Sequence, residues 1–445
     1  MKTFFLRLYV AWLIDERMIM LRRRLFDLKS RLSRKKREVL VFLQLDDPYS
    51  YLLGHYLERL IPLYEHKVKF RFVISQALGG SYMSKPDLLV RYAVQDCRRL
   101  AGQLGIPFLD VSKKPAERYR QRLLDFVAAE HEEELGDTFT TALALYWRGD
   151  NEGIEKLMGH RRGDHEETRV LIGKNQLLLR KLGHYNSATM YYGGEWYWGL
   201  DRLLYLTDRL DNEKLNRNSA RIEELDKLEQ LADLQLPKSP PAQAASCPPL
   251  EMFHSFRSPY SYIALHEAFE LAEAFGIELK VRPIMPMVQR GVGLPRSKLI
   301  YLLKDSCREA RRKDIPFDKV SNPLGKGVEN CMAGFAFASS QGHGREFLFA
   351  AGRAIFADGI DVASDEGMQE VAESAGLSWT ELEPALESDD WKDAVEDNGE
   401  ALAAAGMWGV PTFRMGNFVV WGQDRIWLLA RALTLMCQRK EKERQ

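Results

Sequence analysis

The sequence predicts an α/β protein built from two successive domains of the same plan. A Pro-Tyr-Ser-Tyr segment stands at 48–51 and again at 259–262, each time between an apolar run and an apolar helix. An Ile-Pro-Phe segment follows, with its proline 59 residues after the first proline in one half and 57 residues after it in the other. Each half then closes with Trp-Gly-x-Asp-Arg, at 198–202 and 421–425, before a leucine-rich helix. Landmarks that recur in one order predict an internal duplication.

The length of 445 residues is too great for one hydrophobic core and indicates more than one domain. A stretch rich in proline, alanine and serine, without periodic apolar residues, is typical of a linker between domains. The expected segments are a basic amphipathic helix at 1–37, a degenerate domain at 38–235, the linker at 236–249 and a domain with intact site motifs at 250–437.

Within each half the predicted elements follow the order strand, helix, strand, a helical block, two strands and a helix. Strands rich in β-branched residues are expected at 68–74 and 277–283. Closing hairpins are expected around Gly193-Gly194 and Gly416-Asn417, because these residues favour two-residue hairpin turns. This is the element order of a thioredoxin-like fold that carries an inserted helical subdomain. The predicted fold class is therefore α/β, with two tandem thioredoxin-like domains.

The start of the helix at 259 is the first candidate site. Ser258 stands where an N-cap belongs and Pro259 at the first helical position, where its missing N–H would have no partner. A hydroxyl there faces unpaired N–H groups and the positive end of a helix dipole, which favours an anion. A Ser–His–Asp arrangement is disfavoured, because the nearest histidine, His254, belongs to the entering strand and is predicted to be structural.

Each half also carries an aspartate and an arginine three residues apart on one predicted helix. They are Asp96 with Arg99 and Asp305 with Arg308. Charges at this spacing are neighbours on one helix face and commonly pair. The pair Asp305 and Arg308 is therefore predicted to be structural rather than to bind a ligand.

Charge is unevenly spread along the chain. Residues 1–37 hold twelve Lys and Arg against three acidic residues, a net charge of +9, whereas the whole chain is neutral and the remainder is therefore −9. A mildly acidic body argues against nucleic acid as the main partner. The leader lacks the cleavage site of a signal peptide, and its apolar residues fall at helical spacing between arginines. Two interpretations stay open: this helix lies on an anionic membrane surface, or it packs its apolar stripe on the body.

The cysteines and histidines bear on cofactors and location. Five cysteines show no CxxC and no paired spacing, and without a secretory signal they indicate reduced thiols in a cytoplasm. The histidines at 131, 160 and 165 show no metal-ligand spacing, so no metal site is expected.

No apolar run is long enough to span a bilayer. We therefore expect a cytoplasmic protein, with membrane-peripheral contact as the open alternative and self-association undecided.

Four separated motifs of the second half resemble a known family. They are Phe-Arg-Ser-Pro-Tyr-Ser-Tyr at 256–262, Lys-Leu-Ile-Tyr at 298–301, Trp-Gly-Val-Pro-Thr-Phe at 408–413 and Trp-Gly-Gln-Asp-Arg at 421–425. In this order they are similar to the 2-hydroxychromene-2-carboxylate isomerase and kappa-class glutathione transferase branch of the DsbA-like thioredoxin superfamily. The resemblance covers residues 250–435. The first half is similar to the family in its layout but degenerate in its motifs.

The resemblance implies glutathione as cofactor or cosubstrate. It makes Ser258 the catalytic hydroxyl that hydrogen-bonds the glutathione sulfur, and Val410-Pro411 a cis loop that pairs with the cysteinyl unit. Gln423 and Asp424 would hold the γ-glutamyl end, and Lys298 would lie near the glycyl carboxylate. A free thiol has a pKa of roughly 8.5, and a helix N-terminus with a hydroxyl donor lowers it.

The chain departs from the family pattern at several positions. The family's asparagine before the lysine is Gly293, which removes one expected contact with glutathione. In the first half the matching positions all differ: Asp47 for Ser258, Leu89 for Lys298, Ala188 for Pro411 and Leu200 for Gln423. A carboxylate would repel a thiolate beside it. The first half is therefore predicted to have lost glutathione chemistry and to act as a scaffold, a dimer mimic or a lid.

The sequence thus predicts a glutathione-dependent isomerase or transferase that acts on a small electrophilic, aromatic substrate through its second domain. One alternative is a protein like the DsbA-family thiol–disulfide oxidoreductases but without redox cysteines, because Ser258 and Ser261 stand at the helix start. The other is a non-catalytic, membrane-peripheral binding protein.

Overall fold

The computed structural model describes residues 10–33, 36–82, 84–109, 117–218 and 220–444. The chain divides into two compact units, which are described separately. The N-terminal unit comprises Leu21–Leu231 together with Pro295–Tyr301. The C-terminal unit comprises Ala232–Leu294, Leu302–Gln445 and the described part of Met1–Met20.

Nine α-helices and four strands of the first half lie wholly within the residues that the structure describes. In order they are α1 Glu16–Ser33, β1 Arg37–Leu43, α2 Pro48–Tyr64, β2 Val68–Ile74, α3 Pro86–Leu104, α4 Glu117–Ala128, α5 Leu135–Arg148, α6 Asn151–Met158, α7 His165–Leu182, β3 Thr189–Tyr192, β4 Glu195–Trp198, α8 Leu203–Asn212 and α9 Glu223–Ala232. The strands form one sheet in the order β2-β1-β3-β4. β1 runs parallel to β2 and antiparallel to β3, and β3 and β4 form a hairpin.

The second half contains β5 Leu250–His254, α10 Pro259–Phe275, β6 Leu279–Pro283, α11 Arg296–Arg312, α12 Lys326–Ser340, α13 Gly344–Phe356, α14 Asp365–Ser374, α15 Trp379–Ala385, α16 Trp391–Ala404, β7 Thr412–Met415, β8 Phe418–Trp421 and α17 Ile426–Arg444. Its sheet has the order β6-β5-β7-β8, again with one parallel pair and two antiparallel pairs. The element order predicted for each half, with a helical block between the second and third strands, is confirmed.

One strand is shorter than predicted. The sequence pattern placed a strand at 277–283, whereas β6 begins at Leu279. The reason is the end of α10, where Gly276 adopts φ +64° and the N–H of Ile277 still donates to the carbonyl oxygen of Ala272 at 3.0 Å. This hydrogen bond satisfies a carbonyl group of the last helical turn that would otherwise have no partner. The N–H of Ile277 is therefore not available to the sheet.

β5, an inner strand of the second sheet, is buried along its whole length and carries a charged side chain. Glu251 on β5 accepts a hydrogen bond from Arg282 Nε of β6 at 2.6 Å and another from Arg414 of β7. Burial alone would raise the pKa of the Glu251 carboxyl, but the bonds from the two arginines outweigh it and lower that pKa. The three strands β6, β5 and β7 are thereby joined by side chains as well as by their backbone ladder.

Candidate functional site

The candidate site is built around the start of α10. Ser258 caps this helix with extended backbone dihedrals, φ −93° and ψ 112°, and Pro259 takes the first helical position. The Ser258 hydroxyl oxygen accepts a hydrogen bond from the main-chain N–H of Ser261 at 3.1 Å, so the predicted cap is confirmed. Within the described residues the half-buried hydroxyl donates to no acceptor. Its proton is therefore available to an anion placed at the helix start.

His254 at the end of β5 does not join this arrangement. Its side chain is 2% exposed, and its ring lies 5.0 Å from that of Phe256. Burial lowers the pKa of the imidazole to about 3, so the ring is neutral at physiological pH. Its Nδ1 has no hydrogen-bond partner in the described ranges. The residue fills the core beneath the helix start.

The loop before β7 forms the second part of the site. The Val410-Pro411 peptide bond is cis, as the resemblance implied. The loop is fixed at both ends, because Thr412 Oγ1 donates to the carbonyl oxygen of Gly409 at 2.7 Å and the N–H of Gly422 donates to that of Pro411 at 2.9 Å. Val410 is half-buried, and its N–H and C=O bond to no group in the part of the chain that the structure describes. They offer one donor and one acceptor to a bound peptide-like group.

Two supports of this loop were not found from the sequence. Arg290 donates to the carbonyl oxygen of Trp408 at 2.9 Å and to that of Met285 at 3.0 Å. Gly409 packs so closely on Trp421 that a Cβ at this position would lie 2.8 Å from the indole ring. A Trp-Gly pair before the proline, with a second tryptophan after the hairpin, is a sequence signal for such packing.

Gln423 and Asp424 lie directly after β8. The buried Gln423 amide oxygen accepts from Lys313 Nζ at 2.8 Å, and its nitrogen donates to Glu309 at 2.8 Å and also to Asp424. Lys313 in turn pairs with Glu267 at 2.7 Å. The Gln423 amide, predicted to bind a ligand, is therefore engaged inside the protein. The Asp424 side chain is half-buried beside it.

Lys298 belongs to the segment Pro295–Tyr301, which is part of the N-terminal unit, whereas the other predicted site residues belong to the C-terminal unit. Its Nζ donates to the carbonyl oxygen of Tyr82 at 2.8 Å and lies 5.1 Å from the centroid of the Tyr185 ring. Burial lowers the pKa of this ammonium group. These are its described contacts, and its role toward a glycyl carboxylate stays a prediction.

A tyrosine–aspartate bond ties the start of each long helix to the helix after the second strand. Tyr260 donates to Asp305 at 2.7 Å, and Arg308 lies 3.6 Å from the other oxygen of the same carboxylate. In the first half Tyr49 donates to Asp96 at 2.8 Å. The sequence separations are 45 and 47 residues, so the repeated tyrosine and aspartate were the signal for these bonds. The predicted pairing of Asp305 with Arg308 is confirmed, and its structural role stays a prediction.

Asp47 caps α2 at the position that matches Ser258. Its carboxylate accepts from the N–H of Tyr49 at 3.3 Å, from the N–H and hydroxyl of Ser50 at 3.1 and 2.7 Å, and from the Ser187 hydroxyl at 3.3 Å. Burial raises the pKa of the Asp47 carboxyl to about 6, although these hydrogen bonds act in the opposite direction. At neutral pH this group is an anion that already accepts four bonds, so it offers nothing to a second anion.

Ala188 takes the place of Pro411 in the first half. The N–H of Gly199 donates to the Ala188 carbonyl oxygen at 2.8 Å, as that of Gly422 does to Pro411 at 2.9 Å. Ala188 has a positive φ of 52°, and Val410-Pro411 is the single cis peptide bond among the described residues. The two loops are therefore held by the same bond but present different backbones.

The thiols of the chain are mostly buried. None of the five cysteines, all of which lie within the described residues, forms a disulfide, and burial raises the pKa of the Cys307 thiol to about 11. Within the described ranges no group of three or more His, Cys, Asp or Glu side chains is arranged to hold a metal ion. Nor does any helix of those ranges combine the length and the apolar composition that crossing a membrane requires.

Comparison with known proteins identifies the class of the second half. Residues 249–434 match the family of DsbA-like thioredoxin domains. The mixed four-stranded sheet, the capped helix after its central strand and the cis-proline loop lie within this range. The C-terminal half of the chain is a DsbA-like thioredoxin domain.

Three relatives matched by sequence carry the same name. The chain is 23% identical to 2-hydroxychromene-2-carboxylate isomerase of Pseudomonas putida over 197 residues, which cover 42% of this chain and 96% of the relative. It is 24% identical to the isomerase of the same name from Pseudomonas sp. strain C18 over 192 residues, 41% of this chain and 89% of the relative. A solved 2-hydroxychromene-2-carboxylate isomerase is similar with a TM-score of 0.39 and 23% identity, over 43% of this chain and 98% of that one. The solved structure of the cytosolic disulfide reductase DsbM of Pseudomonas aeruginosa is similar with a TM-score of 0.32 and 18% identity. The match covers 42% of this chain and 98% of that chain.

Proposed function

We propose that the C-terminal domain is a glutathione-dependent isomerase or transferase of the 2-hydroxychromene-2-carboxylate isomerase type, acting on a small, electrophilic, aromatic substrate. The names of its relatives support the reaction class. The observation that carries the proposal is the Ser258 hydroxyl, which caps α10 and keeps its proton available.

The residues present fit a tripeptide thiol. Glutathione would supply the sulfur nucleophile that adds to an electrophilic carbon. The Ser258 hydroxyl would donate to that sulfur, and the remaining N–H groups at the start of α10 would favour its anionic form. The N–H and C=O of Val410 would pair with the cysteinyl backbone, and Asp424 would face the γ-glutamyl ammonium.

Thiol–disulfide exchange is not supported at this helix start. It needs a cysteine where Ser258 stands, and a serine cannot form a disulfide. The buried Ser261 hydroxyl instead accepts from the N–H of Ser255 at 3.4 Å. Ser258 alone would bind and orient the thiol of glutathione, because the Ser261 hydroxyl is buried.

The first half would act as a degenerate second copy of the same thioredoxin-like domain. The shared strand order, the matched tyrosine–aspartate bonds and the matched loop bonds at Ala188 and Pro411 support this duplication. Asp47 would repel a thiolate, so this half would serve as a scaffold, a dimer mimic or a lid and not as a second catalytic site.

Thermal unfolding of the full chain with increasing glutathione tests the proposal. A ligand that binds only the folded state adds about 2.7 kcal/mol when its concentration is 100 times Kd, so the unfolding temperature should rise steadily. Thiolate difference absorbance near neutral pH should appear with glutathione and be absent with S-methylglutathione. Assays with 2-hydroxychromene-2-carboxylate and with a chloronitrobenzene then separate isomerisation from transfer. An unfolding temperature that millimolar glutathione leaves unchanged would refute the proposal.

A further inference from the structure

The helix α1 exposes a stripe of leucines within the N-terminal unit. Leu21, Leu25, Leu28 and Leu32 are 46%, 57%, 56% and 76% exposed. Their spacing of four, three and four residues places them on one face of the helix. Four large aliphatic side chains on a single exposed face are an apolar surface without a partner in the described ranges.

The opposite face of α1 contacts the rest of the N-terminal unit through polar side chains and one aromatic ring. Arg23 donates two hydrogen bonds to the Glu195 carboxylate, both at 2.7 Å. Phe26 packs edge-on against Tyr192, with ring centroids 5.2 Å apart, and Asp27 pairs with Arg37. The four leucines therefore do not pack on the body, whereas Leu13 and Ile14 of the leader are buried and residues 1–9 lie outside the described residues. The body contacts instead fix the helix with its leucines outward.

Basic side chains border the stripe on both sides. On a helical projection Arg24 and Arg31 lie along one edge, and Arg22 and Lys29 lie along the other. Arg24 and Lys29 are exposed. An outward apolar stripe between two basic edges is the pattern of a helix that lies in a membrane interface with anionic lipids.

Charge also decides against a second copy of the chain as the partner. The leucines have the spacing of a coiled-coil seam, and the four basic residues take the positions that flank such a seam. In a parallel or an antiparallel pair of identical helices these flanks would bring positive charges together, which is destabilising. An anionic surface meets both edges with the opposite charge.

We infer that α1 docks the protein on a lipid bilayer with anionic headgroups, with the leucine stripe among the acyl chains and the basic edges at the phosphate level. The body stays bound to the other face of the helix through Arg23 and Phe26. This attachment is reversible and weakens as salt rises, because part of it is electrostatic.

Co-sedimentation of the full chain with vesicles tests the inference. Wild type should pellet with vesicles containing about one third phosphatidylglycerol, and less with pure phosphatidylcholine. The double variant Leu25→Gln/Leu28→Gln should bind the anionic vesicles more than about tenfold more weakly, because two leucines no longer enter the apolar layer. Arg24→Gln/Lys29→Gln should lose at least about fivefold and show a shallower salt dependence.

A matched control removes two exposed aliphatic side chains elsewhere in the same unit. Val170 and Leu177 on α7 are 45% and 67% exposed, and Val170→Gln/Leu177→Gln should bind as wild type does. Far-UV circular dichroism shows that each variant is folded. The inference is overturned if wild type stays in the supernatant with both vesicle types, or if the stripe variants and the control lose binding equally. It is also overturned if sedimentation without lipid shows a dimer that the stripe variants abolish.

Discussion

The hydroxyl oxygen of Ser258 accepts a hydrogen bond from the main-chain N–H of Ser261, 3.1 Å away. This bond gives the serine two separable roles, one as the cap of α10 and one as a donor toward a ligand. Ser364 offers a comparison, because it caps α14 in the same unit and accepts from the N–H of Gly367 at 3.1 Å.

We expect Ser258→Ala to abolish the glutathione-dependent rise in unfolding temperature. Loss of the cap costs about 1 kcal/mol of stability, and loss of the donor removes the hydrogen bond to sulfur. Ser364→Ala should cost a similar amount of stability and keep the full response to glutathione, and Ser258→Thr should keep most of it. Glutathione binding by Ser258→Ala at wild-type strength would remove the serine from the site.

We expect replacement of the Gln423 amide to lower the stability of the protein even when no ligand is present. Gln423→Leu would leave the buried Glu309 carboxylate without its amide donor and Lys313 without an amide acceptor. Unsatisfied buried groups cost about 1–3 kcal/mol, so the urea midpoint should fall without glutathione present. The exposed Gln341→Leu is the matched control and should leave the midpoint unchanged. A Gln423→Leu protein as stable as wild type would show that this network is not structural.

Much of the fold and part of the site follow from the sequence. The caps at Asp47 and Ser258 and the two hairpins were predictable because cap and turn residues act locally through their own backbone. The engagement of Gln423 by Lys313 was not, because it depends on which helix packs behind the last strand. Local sequence patterns do not specify such a tertiary contact.

The Asp47 carboxyl makes stability depend on pH in a definite direction. The pKa of this carboxyl is about 6 in the folded protein, above its ordinary value of 3.8. The protonated carboxyl is the form that the fold favours, so its contribution to the free energy of unfolding is complete below pH 3.8 and is lost as pH rises through 6. Asp47→Asn cannot ionise and should be more stable than wild type by about 1–3 kcal/mol at pH 7.5. The advantage should shrink towards zero at pH 3.5.

Chemical unfolding at the two pH values measures this difference for the Asp47 variant. Asp164→Asn is the control, because Asp164 caps α7 at an exposed position through a bond from the N–H of Glu167 at 2.8 Å. We expect the Asp164 substitution to change stability little at either pH. An Asp47→Asn advantage that is the same at both pH values would show that burial of the charge is not its cause.

We expect the hydrogen bonds between Arg23 and Glu195 to hold α1 on the rest of the N-terminal unit. Arg23→Met keeps an aliphatic stem but removes two charge-assisted hydrogen bonds of 2.7 Å, while Glu195 keeps Arg209 at 3.0 Å. Because the pair is partly exposed, the loss should be about 0.5–1.5 kcal/mol. The helix should detach more often, so trypsin should cut the leader several times faster. Arg24→Met removes one cleavage site of the same kind without touching Glu195, and it should leave the rate close to that of wild type. Equal rates for both variants would mean that the Arg23 bond does not hold the helix.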